Sequence, residues 1–180
     1  MKKKILISLA VLLLLGIGSA MYIGYSSRNL SPKGKANYSK NGLEITVNYG
    51  RPYKKGRIIF GNHEEEALVP YGKYWRLGAN EATEITFNKD VTFGGEPVKA
   101  GTYRMYAVPG ENNWTVYLNS ELGQWGYFEA NHEKDVKKIT VAPATTPEIV
   151  EQFTIDFNDA VEGVDMNFNW DKTKVTVLIK

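Results

Sequence analysis

The sequence predicts an all-β domain, an antiparallel β-sandwich of jelly-roll-like or barrel-like form, preceded by one N-terminal hydrophobic helix. Three observations predict it. Beyond residue 35 apolar and polar side chains alternate with period two, the pattern of strands with one buried face. Turn signals recur about every 8 to 12 residues, as sandwiches and barrels require. No segment after residue 24 holds a helical apolar period beyond a turn or two, whereas the chain opens on a long charge-free run.

That run comes first. Lys2, Lys3 and Lys4 precede residues 5–23, which contain no charge; the next charged residue is Arg28. A positive start followed by an apolar stretch is the pattern of an export signal. As a helix the stretch is about 28 Å long, close to a bilayer's hydrocarbon thickness, so it can remain as an anchor. Gly18-Ser19-Ala20 offers the alternative of a cleavage site with small residues. Met21, Tyr22 and Ile23 prolong the run past that site and favour the anchor. Either way the expected partner is a membrane, engaged through residues 5–23. The lysines hold the N-terminus inside, so the rest lies outside the cytoplasm. The expected division is a signal or anchor at 1–27, a small, polar tether at 28–35, and one β-domain at 36–180.

Electrostatics narrow the function. Lys and Arg number 22 against 20 Asp and Glu, and setting aside Lys2, Lys3 and Lys4 leaves 19 against 20. A nearly neutral domain has no basic surface for nucleic acid. The absence of cysteine excludes disulfides, thiol chemistry and a lipid-modified N-terminal cysteine. Stability must come from one core, for which roughly 150 residues suffice.

The strands follow in order. Leu43, Ile45, Val47 and Tyr49 alternate with Glu44, Thr46 and Asn48, and Asn41-Gly42 predicts a hairpin to Ala36–Ser39. Ile85 and Phe87 flank Thr86; Val91 and Phe93 flank Thr92. Gly94-Gly95 turns the chain, and Pro97 confines the next strand to an edge. Tyr103–Val108 and Trp114–Asn119 surround Pro109-Gly110, with Trp114, Val116 and Leu118 on one face. Val136–Val141 follows, then Phe153, Ile155 and Phe157, then Val164, Met166, Phe168 and Trp170. A turn at Asp171-Lys172 leads to Val175, Val177 and Ile179. The predicted core includes Trp114, Val116, Phe153, Ile155, Phe168 and Val177.

One region does not alternate. Residues 51–83 run some thirty positions without a strand pattern, long for a compact domain, and such loops are functional or disordered. Tyr53, Ile58, Ile59, Phe60, Leu68, Val69, Tyr71, Tyr74 and Trp75 argue against disorder. The same region carries a resemblance. Gly56–Gly61, Pro70–Arg76, Gly78–Thr83 and Ala100–Tyr103, with Pro109-Gly110, Trp114–Val116 and Trp125-Gly126 later, resemble the bacterial domain-of-unknown-function family 2911. The resemblance covers the chain from about Leu30 onward. It implies an exported bacterial protein and no particular activity. Two departures stand out: Gly50 where a serine usually precedes Arg-Pro, and an acidic insertion at Asn62–Ala67.

The candidate binding set is Arg51, Arg57, Trp75, Arg76, Asn80 and Glu81. Guanidinium groups bind carboxylate or phosphate bidentately, and an adjacent Trp can stack on a sugar, so a small polar or carbohydrate ligand is the expectation. The competing reading pairs Arg57 or Arg76 with Glu81 to pin the loop, with Trp75 in the core. A carbohydrate hydrolase would need two facing carboxylates, for which Glu81 and Glu84 are the candidates. No metal or cofactor is expected: His63 beside Glu64–Glu66 and His132 beside Glu133 lack the spacing of a His-Glu-x-x-His helix. There is no Gly-x-Ser-x-Gly and no phosphate-binding glycine loop. The sequons at Asn37 and Asn113 are incidental in a bacterial chain. The sequence supports a binding or structural module of the cell envelope, with the hydrolase as alternative.

Overall fold

The computed structural model describes residues 2–180. The side chains of residues 2, 3, 5, 6, 8 and 10 lie outside the described residues, so part of the lysine cluster and the start of the apolar run carry no side-chain description. Helix α1 spans Lys2–Leu30. Its described apolar side chains stand free of the domain; Leu12, Leu13, Leu14 and Leu15 are 63–68% exposed. Among the described residues, no helix is long and apolar enough to cross a membrane.

The helix runs into the segment expected to be a tether, ending at Leu30, and the first strand takes up its far end from Lys33. The Ser27 hydroxyl donates back to the carbonyls of Ile23 and Gly24, which satisfies the group without leaving the helix. Pro32 then stops it, since the residue before a proline is pushed out of helical geometry. Strand β1 (Lys33–Lys40) begins at once and pairs with β2 (Leu43–Gly50). Asn41 and Gly42 both have positive φ (51° and 73°), the geometry of a two-residue hairpin turn.

The remaining strands are β3 (Phe60–Gly61), β4 (Val69–Pro70), β5 (Thr83–Phe87), β6 (Val91–Phe93), β7 (Glu96–Val98), β8 (Gly101–Val108), β9 (Trp114–Asn119), β10 (Asp135–Val141), β11 (Pro143–Ala160) and β12 (Gly163–Ile179). A six-stranded antiparallel sheet runs β1-β2-β5-β8-β9-β10, and a four-stranded antiparallel sheet runs β11-β12-β6-β7. They face each other across one core, and neither closes into a barrel. β7, with Pro97, is an edge as expected.

All six residues predicted for the core are buried. Each fully buried apolar side chain contributes about 1.5 to 3 kcal/mol. At one end of the core, Trp75 meets the rings of Phe60, Trp114, Phe153 and Trp170 at centroid distances of 5.0 to 5.8 Å. Three of these are edge-on and one is stacked, arrangements that suit aromatic quadrupoles.

The turn expected at Asp171-Lys172 does not form. β12 runs unbroken, and Asp171 adopts φ 54° as a bulge where its register against β11 shifts. The bulge aims the Asp171 carboxylate at Lys54 Nζ, 2.8 Å away.

The long segment between β2 and β5 is stitched to both sheets. Phe153 N–H donates to Pro52 O, and Trp75 and Ala107 exchange two backbone bonds of 2.8 Å. The short β3 and β4 pair in parallel around a 3-10 turn at His63–Glu65, where the acidic stretch sits. Ile59, Trp75 and Leu77 of this segment enter the core. The segment therefore closes one end of the sandwich.

Candidate functional site

The segment's first turn presents two cations. Lys55 and Gly56 both have positive φ (49° and 71°), which suits glycine at the second position. The turn is fixed by Lys54 Nζ, which bonds Arg57 O and Asp171, and by Glu151 Oε1, which accepts from Lys55 N–H. Arg57 folds back so that Nε donates to Lys54 O at 3.0 Å and Nη2 to Tyr53 O.

Further along, the chain bends sharply at Leu77 (φ 50°), Gly78 (φ 150°) and Asn80 (φ 64°). Thr83 Oγ1 holds the bend by donating to Leu77 O at 2.7 Å. Here the segment touches β2 backbone to backbone: a Cβ on Gly50 would lie 2.0 Å from Ala79 O. The bend exposes Arg76 on one side and turns Asn80 and Glu81 toward the end of α1.

Between that bend, the Lys55 turn and the end of α1 lies a cavity of about 530 Å³. Of the six predicted residues it gathers four, Arg57, Trp75, Arg76 and Asn80. Arg51 and Glu81 are not among its lining residues. Arg51 ties the segment to β11, donating to Phe153 O and Thr154 Oγ1. Glu81 pairs with Arg28 at 3.2 Å and Lys33 at 3.1 Å. Asn80 Nδ2 donates to Ser27 O, which also accepts from Ser31 N–H, and to Ser31 O just beyond the helix C-terminus. Four of the predicted residues, Arg51, Arg57, Asn80 and Glu81, thus have structural partners, and Trp75 is core.

Arg76 is different. It is half-buried, and among the described residues its side chain makes no hydrogen bond or ion pair. Its guanidinium stands 6.0 Å from the Tyr127 ring centroid. Burial pulls its pKa below the ordinary value, and the charge of Arg104 works in the same direction. Lys55, Arg57 and Arg76 line the cavity, and no carboxylate does. Trp170, also in the lining, has an indole N–H without an acceptor. Lys55 and Trp170 were not singled out from the sequence. The basic Lys54-Lys55-Gly56-Arg57 turn was a signal for the first; nothing in sequence brings β12 to this place.

Glu81 and Glu84 both line a neighbouring cavity of about 460 Å³, with Lys33, Lys35 and Asn48. Burial pushes the Glu81 carboxyl up, yet its own backbone amide and Lys33 outweigh that and hold it below the ordinary range. Glu84 accepts from Gly123 N–H at 2.8 Å.

A second polar cluster sits on the outer face of the six-stranded sheet. The buried Arg104 donates from Nη2 to the Tyr74 hydroxyl and to Phe128 O. The buried Tyr106 hydroxyl donates to Asp135 at 2.8 Å and lies 2.9 Å from His132 Nδ1. Burial, then Asp135, pushes the Tyr106 pKa far up. His132 also faces Glu129 at 3.1 Å. His63 sits in the acidic 3-10 turn. Among the described residues no group of three or more acidic or histidine side chains is placed to hold a metal ion.

The profile of a family described as "Protein of unknown function (DUF2911)" matches residues 31–179. The chain belongs to that family. The DUF2911 match begins directly after α1 and takes in both sheets, the bend and the cavity's Lys55 turn. No curated protein and no solved structure matches the chain.

Proposed function

We propose that this DUF2911 domain is an extracytoplasmic binding module for a small anionic ligand carrying carboxylate or phosphate. One observation carries the reading: a cavity lined by Lys55, Arg57 and Arg76 without a carboxylate, in which the half-buried Arg76 makes no hydrogen bond or ion pair among the described residues. A half-buried guanidinium without a counter-charge favours an anion, and its fork matches carboxylate and phosphate oxygens. Residues 5–23, free of charge and carried on a helix that stands clear of the domain, support a role for α1 as export signal or retained anchor.

The hydrolase alternative fits less well. A general acid needs a raised pKa, and Glu81 is held low by its partners.

The binding reading is tested by thermal melts of the full-length protein in detergent, with inorganic phosphate and short dicarboxylates. A ligand at about 100 times its Kd adds about 2.7 kcal/mol, roughly 5 to 10 °C for a domain of this size. Arg76→Gln should abolish that shift while leaving the ligand-free midpoint nearly unchanged. Equal shifts in both proteins, or none in the wild type, would refute the reading. For topology, protease added to intact spheroplasts should digest the β-domain; survival until lysis would place it inside.

A further inference from the structure

We propose that the loop Leu122–Phe128 is a bilayer-seating surface, its aromatic side chains resting in the headgroup layer of an anionic membrane beside the point where α1 leaves the domain. The inference rests on the reading of α1 as a retained anchor.

The loop holds large apolar groups outward. Leu122 and Trp125 are each 43% exposed, Phe128 64% and Tyr127 71%. A floppy loop could fold such side chains away, but this one is fixed. Gly126 N–H donates to Asn80 O, Ala82 N–H donates to Gln124 O, and Glu81 and Trp125 form a β-bridge. Phe128 O accepts from the buried Arg104, and Arg76 packs over the Tyr127 ring. A Cβ at Gly126 would come within 3.0 Å of Asn80 O and 3.1 Å of Ala82 N, so the backbone there is tightly seated. An ordered aromatic patch kept in view of solvent marks an interaction surface.

Its position identifies the partner. The same bend that holds the loop also holds the helix: Asn80 bonds Ser27 O and Ser31 O, and Glu81 bonds Arg28. Tyr25 lies only two residues, about 3 Å of helix rise, from Ser27. Tyr22 and Tyr25 are exposed on α1 close to its exit from the domain, and the helix end and the loop are tied to the same bend. Trp and Tyr gather at membrane–water interfaces because their rings are apolar and their tips polar. Arg28, Lys33, Lys55, Arg57 and Arg76 surround this end of the domain, and Glu81 among them is already paired with two of these cations. Such a basic rim attracts anionic lipid.

Tryptophan emission tests the inference. The chain has four tryptophans. Trp75, Trp114 and Trp170 are buried at 6%, 2% and 2% exposure, which leaves Trp125 as the one open to a quencher. The full-length protein is reconstituted into phosphatidylcholine–phosphatidylglycerol vesicles, with and without bromine at the shallow end of the acyl chains. Bromine should remove the Trp125 share of the emission, aqueous acrylamide should fail to reach it, and Trp125→Phe should make the emission insensitive to bromine. Emission unchanged by brominated lipid, with Trp125 quenched by acrylamide, would overturn the proposal. So would protection from both quenchers, which means that protein covers the loop. Failure of the protein to float with the vesicles would remove the anchor reading, and the inference with it. The phosphate melts and the Arg76→Gln comparison are independent of all these outcomes.

Discussion

Gly50→Ala is the sharpest test of how the bend is built. The new Cβ would sit 2.0 Å from Ala79 O, 2.8 Å from Ala79 C and 3.0 Å from Ala79 N. All three contacts are to backbone, so no side chain can swing aside. The approach is mutual, since a Cβ on Gly78 would lie 2.7 Å from Gly50 O. Restoring ordinary separation therefore means moving the Gly78–Asn80 backbone by more than about 1 Å. Backbone shifts of this kind cost about 1 to 3 kcal/mol, with a central value near 2. For a domain of this size that is roughly a 4 to 8 °C fall in Tm. The displacement also carries away Asn80, whose side chain bonds Ser27 O and Ser31 O. The assay is a thermal melt of wild type and Gly50→Ala under identical detergent conditions, with amide exchange read at residues 27–31. A variant melting within about 1 °C of wild type, with unchanged exchange, would show that β2 and the bend are not in contact.

Two further outcomes are expected. Phe153→Ala removes a fully buried ring that contacts Tyr49, Trp75 and Trp170, and should cost about 3 to 5 kcal/mol in chemical denaturation; a loss under about 1 kcal/mol would mean that β11 has another register. The Glu129 hydrogen bond raises the His132 pKa above its ordinary 6.5; burial opposes it and Asp135 adds to it. A raised folded-state value stabilises below the unfolded pKa, and the contribution disappears as pH rises through the folded one. His132 is 55% exposed at its side chain, so only a few tenths of a kcal/mol are expected. Melts of wild type and His132→Gln should differ near pH 5.5 and converge by about pH 9, and a difference independent of pH would contradict this.

Local signals were legible in the sequence and distant partnerships were not. Asn41-Gly42 and the edge proline Pro97 each fix their geometry within a few residues. Asp171 misled because the residue types that make turns also make left-handed bulges. What separates the two is Lys54, which lies 117 positions away in the chain. The tether expected from residue 28 starts only after Leu30, because Ser27 turns its hydroxyl back into the helix and lets it run on. Composition pointed correctly to the long segment between β2 and β5 as a place where polar and aromatic groups concentrate. It could not say that Asn80 and Glu81 are committed to α1, because their partners sit some fifty residues earlier. Nor could it say that Arg76 alone among the described arginines of the set lacks a partner.

The closing strand has a consequence for the order of biosynthesis. β12 contributes Val164, Met166, Phe168, Trp170, Val175, Val177 and Ile179 to the core, and Lys180 exchanges backbone bonds with Thr92. Seven core positions thus arrive with β12, which follows every other described strand of the domain, and Lys180 extends its pairing with β6. While the ribosome still covers this strand, the inner face of the six-stranded sheet has no lid, and the aromatic hub lacks Trp170. Until β12 has emerged, the preceding strands hold an incomplete core. Its emergence is the step that lets the two sheets close on each other.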